Sequence, residues 1–192
     1  MIPFGQDPVV KVDVAHAAML MALVQANKPK TILEIGIGGG QGTDAILAGL
    51  EFNQQVFQYV LVDNWHDWHG VRPEGVTEKY GSMINIIDSA EKDFVFGTDK
   101  TFDFIMSDGD HHQADQWFEH VLTELLNPGG ILIYHDINLF DADAFQNLNQ
   151  IYYRCQEYGL RHHLFNKNSR EDERCQRGLL VIFKDYCEIK HV

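Results

Sequence analysis

The sequence predicts an α/β fold: a doubly wound, seven-stranded, mostly parallel sheet with helices on both faces and an antiparallel hairpin at its C-terminal end. Three observations predict it. Short aliphatic runs alternate with longer runs of helix-forming residues. The first aliphatic run is followed at once by a cluster of glycines and a helical pattern. The last two aliphatic runs have no helix between them, so they are expected to pair antiparallel.

Length and composition predict one domain over residues 1–192, with its core at about 12–184. The hydrophobic fraction of 45 % is that of an ordinary soluble globular protein. A formal charge of -13 repels phosphate backbones and anionic membranes, which argues against nucleic-acid and membrane partners. No apolar run is long enough to span a bilayer. Cys155, Cys175 and Cys187 show no CxxC spacing, which predicts free thiols and a cytoplasmic location.

The first half of the chain contains five predicted elements, each marked by apolar spacing and flanking turn residues. They are a helix at 12–26, a strand at Thr31–Ile35, a helix that starts at Thr43 or Asp44 and ends at Leu50, and strands at 56–62 and 83–87. Asp13 is the predicted cap of the first helix. The stretch 64–82 is polar and rich in Gly and Pro, so it is predicted to be an irregular lid without a core element. Its His66, Asp67 and His69 could bind a metal, but no fourth ligand has a predictable position.

The second half follows the same alternation. Its predicted elements are a short helix at 90–97, a strand at 101–107, a helix at 112–126, a strand at 131–134, a helix from Asp141 to Tyr158, and strands at 160–165 and 178–184. The run Asn127-Pro128-Gly129-Gly130 is predicted to end the long helix in a tight turn. A charged loop at 166–177 joins the last two strands.

The glycine turn carries the most specific signal. Glu34, Gly36, Gly38 and Gly40 form the pattern acid-x-Gly-x-Gly-x-Gly, and the missing Cβ atoms let the backbone approach a ligand. The dinucleotide fingerprint requires glycine at the sixth position, which is Gln41 here. A carboxylate beside the turn would repel a pyrophosphate but suits a ligand with ammonium and sulfonium charge. The alternative is a glycine turn that binds nothing.

Acidic residues lie at the carboxyl ends of five predicted strands, the edge at which open α/β sheets bind ligands. They are Glu34, Asp63, Asp88, Asp108 and Asp136. Carboxylates gathered at one edge repel one another, and a cationic ligand or a divalent metal would relieve that repulsion. An acid at the position of Asp63 can accept hydrogen bonds from both ribose hydroxyls of a nucleoside, or it can cap the next helix.

With this turn and these acids, the chain resembles the class I S-adenosylmethionine-dependent methyltransferases, whose first motif has this form. The resemblance covers about residues 12–184 and implies a Rossmann-like fold with S-adenosylmethionine as cofactor. The cofactor-binding residues that it implies are Glu34, Gly36, Gly38, Gly40, Asp63, Trp65, Asp88, Ser89 and Asp108. In this interpretation Asp63 holds the ribose, Trp65 packs on the adenine, and the polar side chains after the third strand reach the adenine amino group.

A closer resemblance is to metal-dependent O-methyltransferases that act on small molecules such as sugars and phenols. Their fourth strand ends in Asp-Gly-Asp-His or a similar run, and their fifth ends in two adjacent polar ligands. Here these positions read Asp108-Gly109-Asp110-His111 and His135-Asp136. The resemblance implies Asp108, His135 and Asp136 as metal ligands. It also implies Asp110 as general base, with His111 and His135 as the alternatives.

The sequence departs from this pattern at His135, where metal-dependent relatives more often have Asp. The cofactors implied by the resemblance include a divalent cation, either Mg²⁺ or a softer ion. Imidazole suits magnesium poorly and favours softer ions, so either the metal differs from that of the relatives or there is none. Without a metal, His135 or His111 alone must remove the proton from the acceptor hydroxyl. The pair His111-His112 could instead be a helix N-terminus that Asp110 caps.

The implied reaction is in-line transfer of a methyl group to a hydroxyl of a small-molecule acceptor. Two other classes of function stay open at this point. One is a module that binds the cofactor without turnover. The other is a nicotinamide-dependent oxidoreductase, against which Glu34 and Gln41 argue. The sequence does not identify the acceptor, and it leaves the oligomeric state open, a homo-oligomer included.

Overall fold

The structure, a computed structural model, describes residues 14–65, 73–137, 139, 146–166 and 178–185. Several predictions from the sequence lie outside these residues: the caps Asp13 and Asp141, the group His66, Asp67 and His69, most of the charged loop, and the thiols of Cys175 and Cys187. The chain divides into two compact units, residues 1–97 and 98–192. Its organisation as a single domain therefore stays a prediction.

The N-terminal unit alternates helices and strands. Its elements are α1 (Val14–Asn27), β1 (Thr31–Ile35), α2 (Gln41–Asn53), β2 (Gln58–Asp63), α3 (Glu74–Tyr80), β3 (Ile84–Asp88) and α4 (Glu91–Gly97). Both β1 and β3 pair with β2 in parallel, with Ile35 opposite Val62 and Asp63 opposite Asp88. Parallel pairing in one register places the carboxyl ends of the three strands side by side. Aliphatic side chains of β1 and β2 are fully buried, as in a sheet covered on both faces.

Two predictions for this unit were wrong. Helix α2 begins at Gln41, and neither Thr43 nor Asp44 caps it, because the left-handed residue Gly40 turns the chain into the helix earlier. The stretch 64–82, predicted to hold no core element, contains α3 and a single 3-10 turn at Gly81–Met83. The side chain of Val76 in α3 is fully buried. Apolar spacing missed this helix because it is only seven residues long.

The C-terminal unit contains the predicted hairpin. Its elements are β4 (Phe102–Ser107), α5 (Ala114–His120), a π-helical turn at Val121–Leu125, β5 (Leu126–His135), α6 (Gln146–Glu157), β6 (Arg161–Asn166) and β7 (Gly178–Phe183). Strands β4 and β5 are parallel, whereas β7 pairs antiparallel with both β5 and β6. The antiparallel C-terminal pair is thereby confirmed.

The run Asn127–Gly130 lies within β5, where the sequence predicted a free turn. Phe102 of β4 pairs with Leu126, but Phe104 pairs with Ile131, so the register shifts between them. Residues 127–130 therefore form an irregularity inside β5. Gly129 has φ +79°, and its amide donates a 2.7 Å hydrogen bond to the carbonyl of Lys184. Pairing with β7 thus continues through the predicted turn.

The strand order is β3-β2-β1 in the N-terminal unit and β4-β5-β7-β6 in the C-terminal unit. In the described residues, β1, β2 and β3 pair in parallel, whereas β7 pairs antiparallel with β5 and with β6. The predicted α/β fold with a mostly parallel sheet is confirmed. Among the helices that the structure describes, none combines the length and the apolar character needed to cross a membrane.

Close packing of α1 against α2 depends on Gly49. A Cβ atom at this position would lie 2.8 Å from the Cβ of Val24 and 2.9 Å from the carbonyl oxygen of Met21. We expect Gly49→Ala to lower the free energy of unfolding by about 1–3 kcal/mol, because the backbone of α1 must move to admit a methyl group. Chemical denaturation of the two proteins measures the difference.

Gly75 in α3 offers the matched control. A Cβ atom there meets nothing within 4 Å, and Gly75 is not among the glycines with positive φ. Gly75→Ala is therefore expected to raise the free energy of unfolding by about 0.5–1 kcal/mol through reduced backbone entropy of the unfolded chain. Equal destabilisation by both substitutions would show that packing at Gly49 is not the cause.

Candidate functional site

The glycine turn between β1 and α2 uses the three glycines that the spacing singled out. Gly36, Gly38 and Gly40 have φ values of +77°, +50° and +77°, a region that favours glycine. The side chain of Ile37 between them is buried, which holds the turn against the core. The turn thus has no Cβ atom at its three left-handed positions.

The carboxylate of Asp63 lies against this turn. Its Oδ2 accepts a 2.6 Å hydrogen bond from the amide of Ile37 and a 3.3 Å hydrogen bond from the amide of Gly38. The carbonyl oxygen of Asp63 accepts a 3.2 Å hydrogen bond from the amide of Ser89, which follows β3. Asp88 is exposed and stands opposite Asp63 in the register of the two strands. The ends of β2 and β3 and the glycine turn therefore form one hydrogen-bonded group.

Glu34 is buried behind the turn rather than exposed beside it. Only 1 % of the residue is exposed, and its Oε2 accepts hydrogen bonds from the hydroxyls of Thr43, at 2.7 Å, and Tyr59. Burial raises the pKa of Tyr59 well above its ordinary value, and the charge of Glu34 raises it further, so the phenol remains a donor. Glu34 thereby ties the first turn of α2 to β1 and β2. The sequence missed both partners, because a hydroxyl in a strand or helix carries no signal for a contact so distant in the chain.

Trp65 follows β2 by two residues and is partly exposed. Its indole Nε1 is buried and, within the described part of the chain, has no hydrogen-bond partner. An unsatisfied buried N–H costs about 1–3 kcal/mol unless a ligand or water accepts from it. The indole is thus a candidate donor to a bound molecule as well as a flat apolar surface.

Asp44 in the first turn of α2 is an acid that the sequence treated only as a cap. Burial raises its pKa from 3.8 to about 6, and the charge of Lys79 offsets part of this rise. An acid whose pKa is higher in the folded state than in the unfolded state lowers stability as the pH rises between the two values. Stability should therefore fall as the pH rises from 3.8 to about 6.

We expect Asp44→Asn to remove this loss. Above the pKa of about 6, the variant should be more stable than the wild type by on the order of 1 kcal/mol, after allowance for the partial exposure of the side chain. The measurement is the free energy of unfolding as a function of pH for both proteins. Parallel curves through this interval would contradict the expectation.

In the C-terminal unit, four ionisable side chains meet where β4 and β5 end. The Oδ1 atom of Asp108 lies 3.1 Å from Nδ1 of His135 and 3.3 Å from Nε2 of His111. The carboxylate of Asp136 lies 3.1 Å from the same Nδ1 of His135 and 3.6 Å from Nε2 of His111. The side chain of His135 has no exposed area, whereas those of Asp108 and His111 are each 20 % exposed. These four residues are the histidine–aspartate cluster.

Opposite charges hold this cluster together. Burial alone would lower the pKa of His135, but Asp108 and Asp136 outweigh burial and raise it to about 10. Burial alone would raise the pKa of Asp108, but His135 and His111 outweigh it and hold the pKa below its ordinary value. Asp136 has φ +64°, an uncommon conformation for a residue other than glycine. Such strain persists only where the surroundings fix the residue, and it concentrates at functional sites.

Asp110 lies next to the cluster in the chain and holds the turn at 111–113 that precedes α5. Its Oδ1 accepts hydrogen bonds from the amides of His112, at 2.9 Å, and Gln113, at 3.1 Å. The side-chain amide of Asn147 in α6 donates a 2.6 Å hydrogen bond to the carbonyl of His112. The alternative that Asp110 caps a helix starting at His111-His112 was not correct as stated, because α5 begins at Ala114 and its cap residue is Gln113, without a side-chain cap hydrogen bond. Its role as general base stays a prediction.

The implied metal ligands lie close together. Ligand atoms of Asp108, His135 and Asp136 lie within 4.8 Å of one another. Two carboxylates and a buried imidazole do not fit Mg²⁺, which prefers a shell of oxygen ligands. The donor set fits a divalent transition ion. We therefore derive no catalytic step through magnesium.

The structure brings most of the predicted site residues into two groups. The glycine turn, Asp63, Trp65, Asp88 and Ser89 lie at the strand ends of the N-terminal unit, and Glu34 lies behind them. The histidine–aspartate cluster lies at the strand ends of the C-terminal unit. Asp108, which the resemblance also gave as a cofactor residue, belongs to the second group.

A family model described as "Methyltransferase domain" matches residues 33–137. No curated protein sequence matches the chain. Among solved structures, an O-methyltransferase from Bacillus cereus in complex with SAH is 18 % identical, with 92 % of this chain and 84 % of that chain covered and a TM-score of 0.75. The O-methyltransferase TomG from Streptomyces achromogenes, involved in tomaymycin synthesis and in complex with SAM, is 14 % identical, with 93 % and 83 % covered and a TM-score of 0.75.

Proposed function

Because the chain belongs to the methyltransferase domain family, we propose that it transfers a methyl group from S-adenosylmethionine to a hydroxyl of a small molecule. The family model spans more than half of the chain and includes both the glycine turn and the histidine–aspartate cluster. The resemblance to methyltransferases stated from the sequence is thereby confirmed, and the oxidoreductase alternative is not pursued. Solved O-methyltransferases that contain SAM or SAH share the fold, which supports both the cofactor and a hydroxyl acceptor.

One observation carries the cofactor part of this proposal: the Asp63 carboxylate lies on a glycine turn whose three motif glycines are left-handed. A carboxylate at this strand end accepts hydrogen bonds from ribose hydroxyls, and glycine lets the backbone approach the ligand. Trp65 would pack on the adenine, and Asp88 or Ser89 would accept from its amino group. Glu34 would support the turn from the interior of the unit, because its Oε2 accepts hydrogen bonds from the hydroxyls of Thr43 and Tyr59.

The transfer itself needs a deprotonated oxygen on the acceptor. The sulfonium sulfur is already a good leaving group, so the enzyme has to position the hydroxyl, remove its proton and exclude water. We assign proton removal to Nδ1 of His111, because Nε2 faces the carboxylate of Asp108 and donates its hydrogen to it. The ring of His111 is 20 % exposed, whereas that of His135 has no exposed area. The Oδ1 atom of Asp108 lies within hydrogen-bonding distance of both imidazole rings and orients them. His135 then acts by holding the two carboxylates in place.

Calorimetric titration with S-adenosylhomocysteine tests the cofactor part directly. Failure to bind at millimolar ligand would end the proposal. Transfer from labelled S-adenosylmethionine to a panel of phenols and sugars tests the second part. Binding without transfer to any acceptor would favour the alternative of a cofactor-binding module without turnover.

A small-molecule acceptor follows from the charge of the chain as well. A formal charge of -13 disfavours phosphate-rich acceptors such as nucleic acids. A homo-oligomer and a cytoplasmic location belong to the proposal as predictions.

A further inference from the structure

We infer that Asn147 of α6 is a positioning residue for the methyl transfer, because it holds the turn at 111–113 and through it the imidazole of His111. The side-chain amide of Asn147 donates a 2.6 Å hydrogen bond to the carbonyl of His112, the residue that follows the proposed base. The two residues are 35 positions apart, so no local pattern in the sequence indicated the contact. The inference rests on the proposed function for its catalytic meaning, but the position of the His111 ring can be measured without turnover.

Asp110 holds the amides of this turn. Its Oδ1 accepts hydrogen bonds from the amides of His112 and Gln113, and its carbonyl accepts a 3.0 Å hydrogen bond from the amide of Ala114. The hydrogen bond from Asn147 engages a carbonyl of the same turn. The peptide group between His112 and Gln113 is planar, and it is thereby held at both its oxygen and its hydrogen.

The short helix α5 depends on neighbours for its position. It has seven residues before the π-helical turn, and isolated helices of this length are not stable in water. Helix α6 is better fixed, since Leu148, Ile151 and Cys155 are buried. The ring of Tyr152 in α6 also packs edge-on against His162 of β6, with the ring centroids 5.4 Å apart. Helix α6 can therefore serve as the support against which α5 and its turn are placed.

One face of α6 provides that support. Arg154 donates a 2.6 Å hydrogen bond to the carbonyl of Asp115, and the hydroxyl of Tyr158 donates to the carboxylate of Glu119. Positions 147, 154 and 158 are separated by steps of seven and four, which place them on the same face of a helix. The partners of Arg154 and Tyr158 lie within α5, whereas the partner of Asn147 lies in the turn that carries the proposed base.

The ring of His111 needs this support because its own contacts are long. Its Nε2 lies 3.3 Å from Oδ1 of Asp108 and 3.6 Å from Oδ2 of Asp136. Hydrogen bonds from nitrogen to oxygen are most often about 2.9–3.0 Å long, so these contacts orient the ring without fixing it tightly. A displacement of a reacting group by about 1 Å can lower a rate by about 100-fold. The backbone of the turn therefore has to place the ring.

Asn147→Leu tests the inference without turnover. Leucine is similar in size to asparagine, cannot donate a hydrogen bond and is the better helix former, so α6 should not be weakened. We expect the substitution to shift the ring signals of His111 in long-range ¹H–¹⁵N spectra recorded at a single pH, with these signals identified from their loss in His111→Ala. The signals of His16, which is buried on α1 of the other unit, should not move. Unmoved His111 signals would overturn the inference whether or not an acceptor is known.

Kinetics test the catalytic meaning of the contact. With an acceptor that turns over, Asn147→Leu should lower kcat by about 10-fold while the affinity for S-adenosylhomocysteine stays within a factor of about two. Asn147→Gln keeps the donor and should restore most of kcat. In a His111→Ala background, Asn147→Leu should cause no further loss, because the residue through which Asn147 acts is gone. A further loss of the same size in that background would contradict the assigned role.

Tyr158→Phe is the matched control, because it removes a hydrogen bond from the same face of α6 to the body of α5. It should change neither kcat nor the ring signals of His111. Equal changes in Tyr158→Phe and Asn147→Leu would show that α6 acts only as a general support for α5, and the specific role of Asn147 would fall.

Binding of S-adenosylhomocysteine to the same samples keeps the two proposals distinguishable. If the His111 signals shift in Asn147→Leu but the wild-type chain does not bind this ligand, the proposed function fails and the link between Asn147 and His111 stands. If the wild-type chain binds the ligand and transfers methyl groups but the signals do not shift, the link fails and the proposed function stands.

Discussion

Replacement of Asp63 by alanine is expected to weaken binding of S-adenosylhomocysteine by at least about 100-fold. This is the loss in affinity expected when a carboxylate that accepts two hydrogen bonds from a ligand is removed. The reason is twofold. The substitution removes the acceptor proposed for the ribose hydroxyls. It also leaves the amides of Ile37 and Gly38 without the carboxylate that they now donate to, so the glycine turn loses its anchor. Calorimetric titration measures the change in affinity.

A second variant separates these two causes. Asp63→Asn keeps an oxygen that can accept from the two amides but loses the charge, so it should bind the ligand more tightly than the alanine variant. Asp93→Ala is the control, because Asp93 is an exposed acid on α4 of the same unit. Tight binding by Asp63→Ala would refute the placement of the nucleoside at this strand end.

Asp108→Asn is expected to reduce kcat by about 100-fold or more while the affinity for S-adenosylhomocysteine stays within a factor of about three. Asp108 is the residue whose Oδ1 contacts both His111 and His135. An amide at this position keeps the size but loses the negative charge that raises the pKa of both rings. The histidines would then be poorly oriented, and proton removal from the acceptor would slow.

The matched control for this prediction is Asp103→Asn in β4, the strand that Asp108 follows. Asp103 accepts a 2.9 Å hydrogen bond from the side chain of Asn127, away from the histidines. The Asp103→Asn substitution should leave kcat unchanged. An equal fall in cofactor affinity in Asp108→Asn would instead place this residue in the cofactor site, the role that the family resemblance also implied.

Local features of the sequence were sufficient for strand β1 and for the glycine turn, but not for β5, which begins before the predicted turn at 127–130. Strand β1 has the predicted bounds, because an aliphatic run followed directly by glycine leaves little freedom in where the strand ends. The spacing marked Gly36, Gly38 and Gly40 as the motif glycines, and the structure adds that all three have positive φ, a conformation that glycine adopts without a steric penalty because it lacks Cβ. The absence of a helix before the last strand sufficed for antiparallel pairing.

Contacts between residues far apart in the sequence could not be predicted from such local features. Asp108 and His135 are 27 positions apart, and Glu34 and Tyr59 are 25 positions apart. Sequence reasoning placed Glu34 beside the ligand, whereas the structure gives its carboxylate two hydroxyl donors in the interior. It also treated Asp110 as the base, and the structure shows that one of its oxygens accepts from two amides of the turn before α5, a contact that the sequence did not specify. A side chain's partner depends on packing, which no local pattern encodes.

The sequence by itself determined which residues stand at the ends of the strands, because alternation of apolar residues and the chemistry of turns act over a few positions. Only the tertiary structure decided which of those residues face one another and how deeply they are buried. Parallel pairing joins strand ends that are separated by a whole helix and its connections. Burial then affects which acids are charged, and it decides which of them are accessible to a ligand.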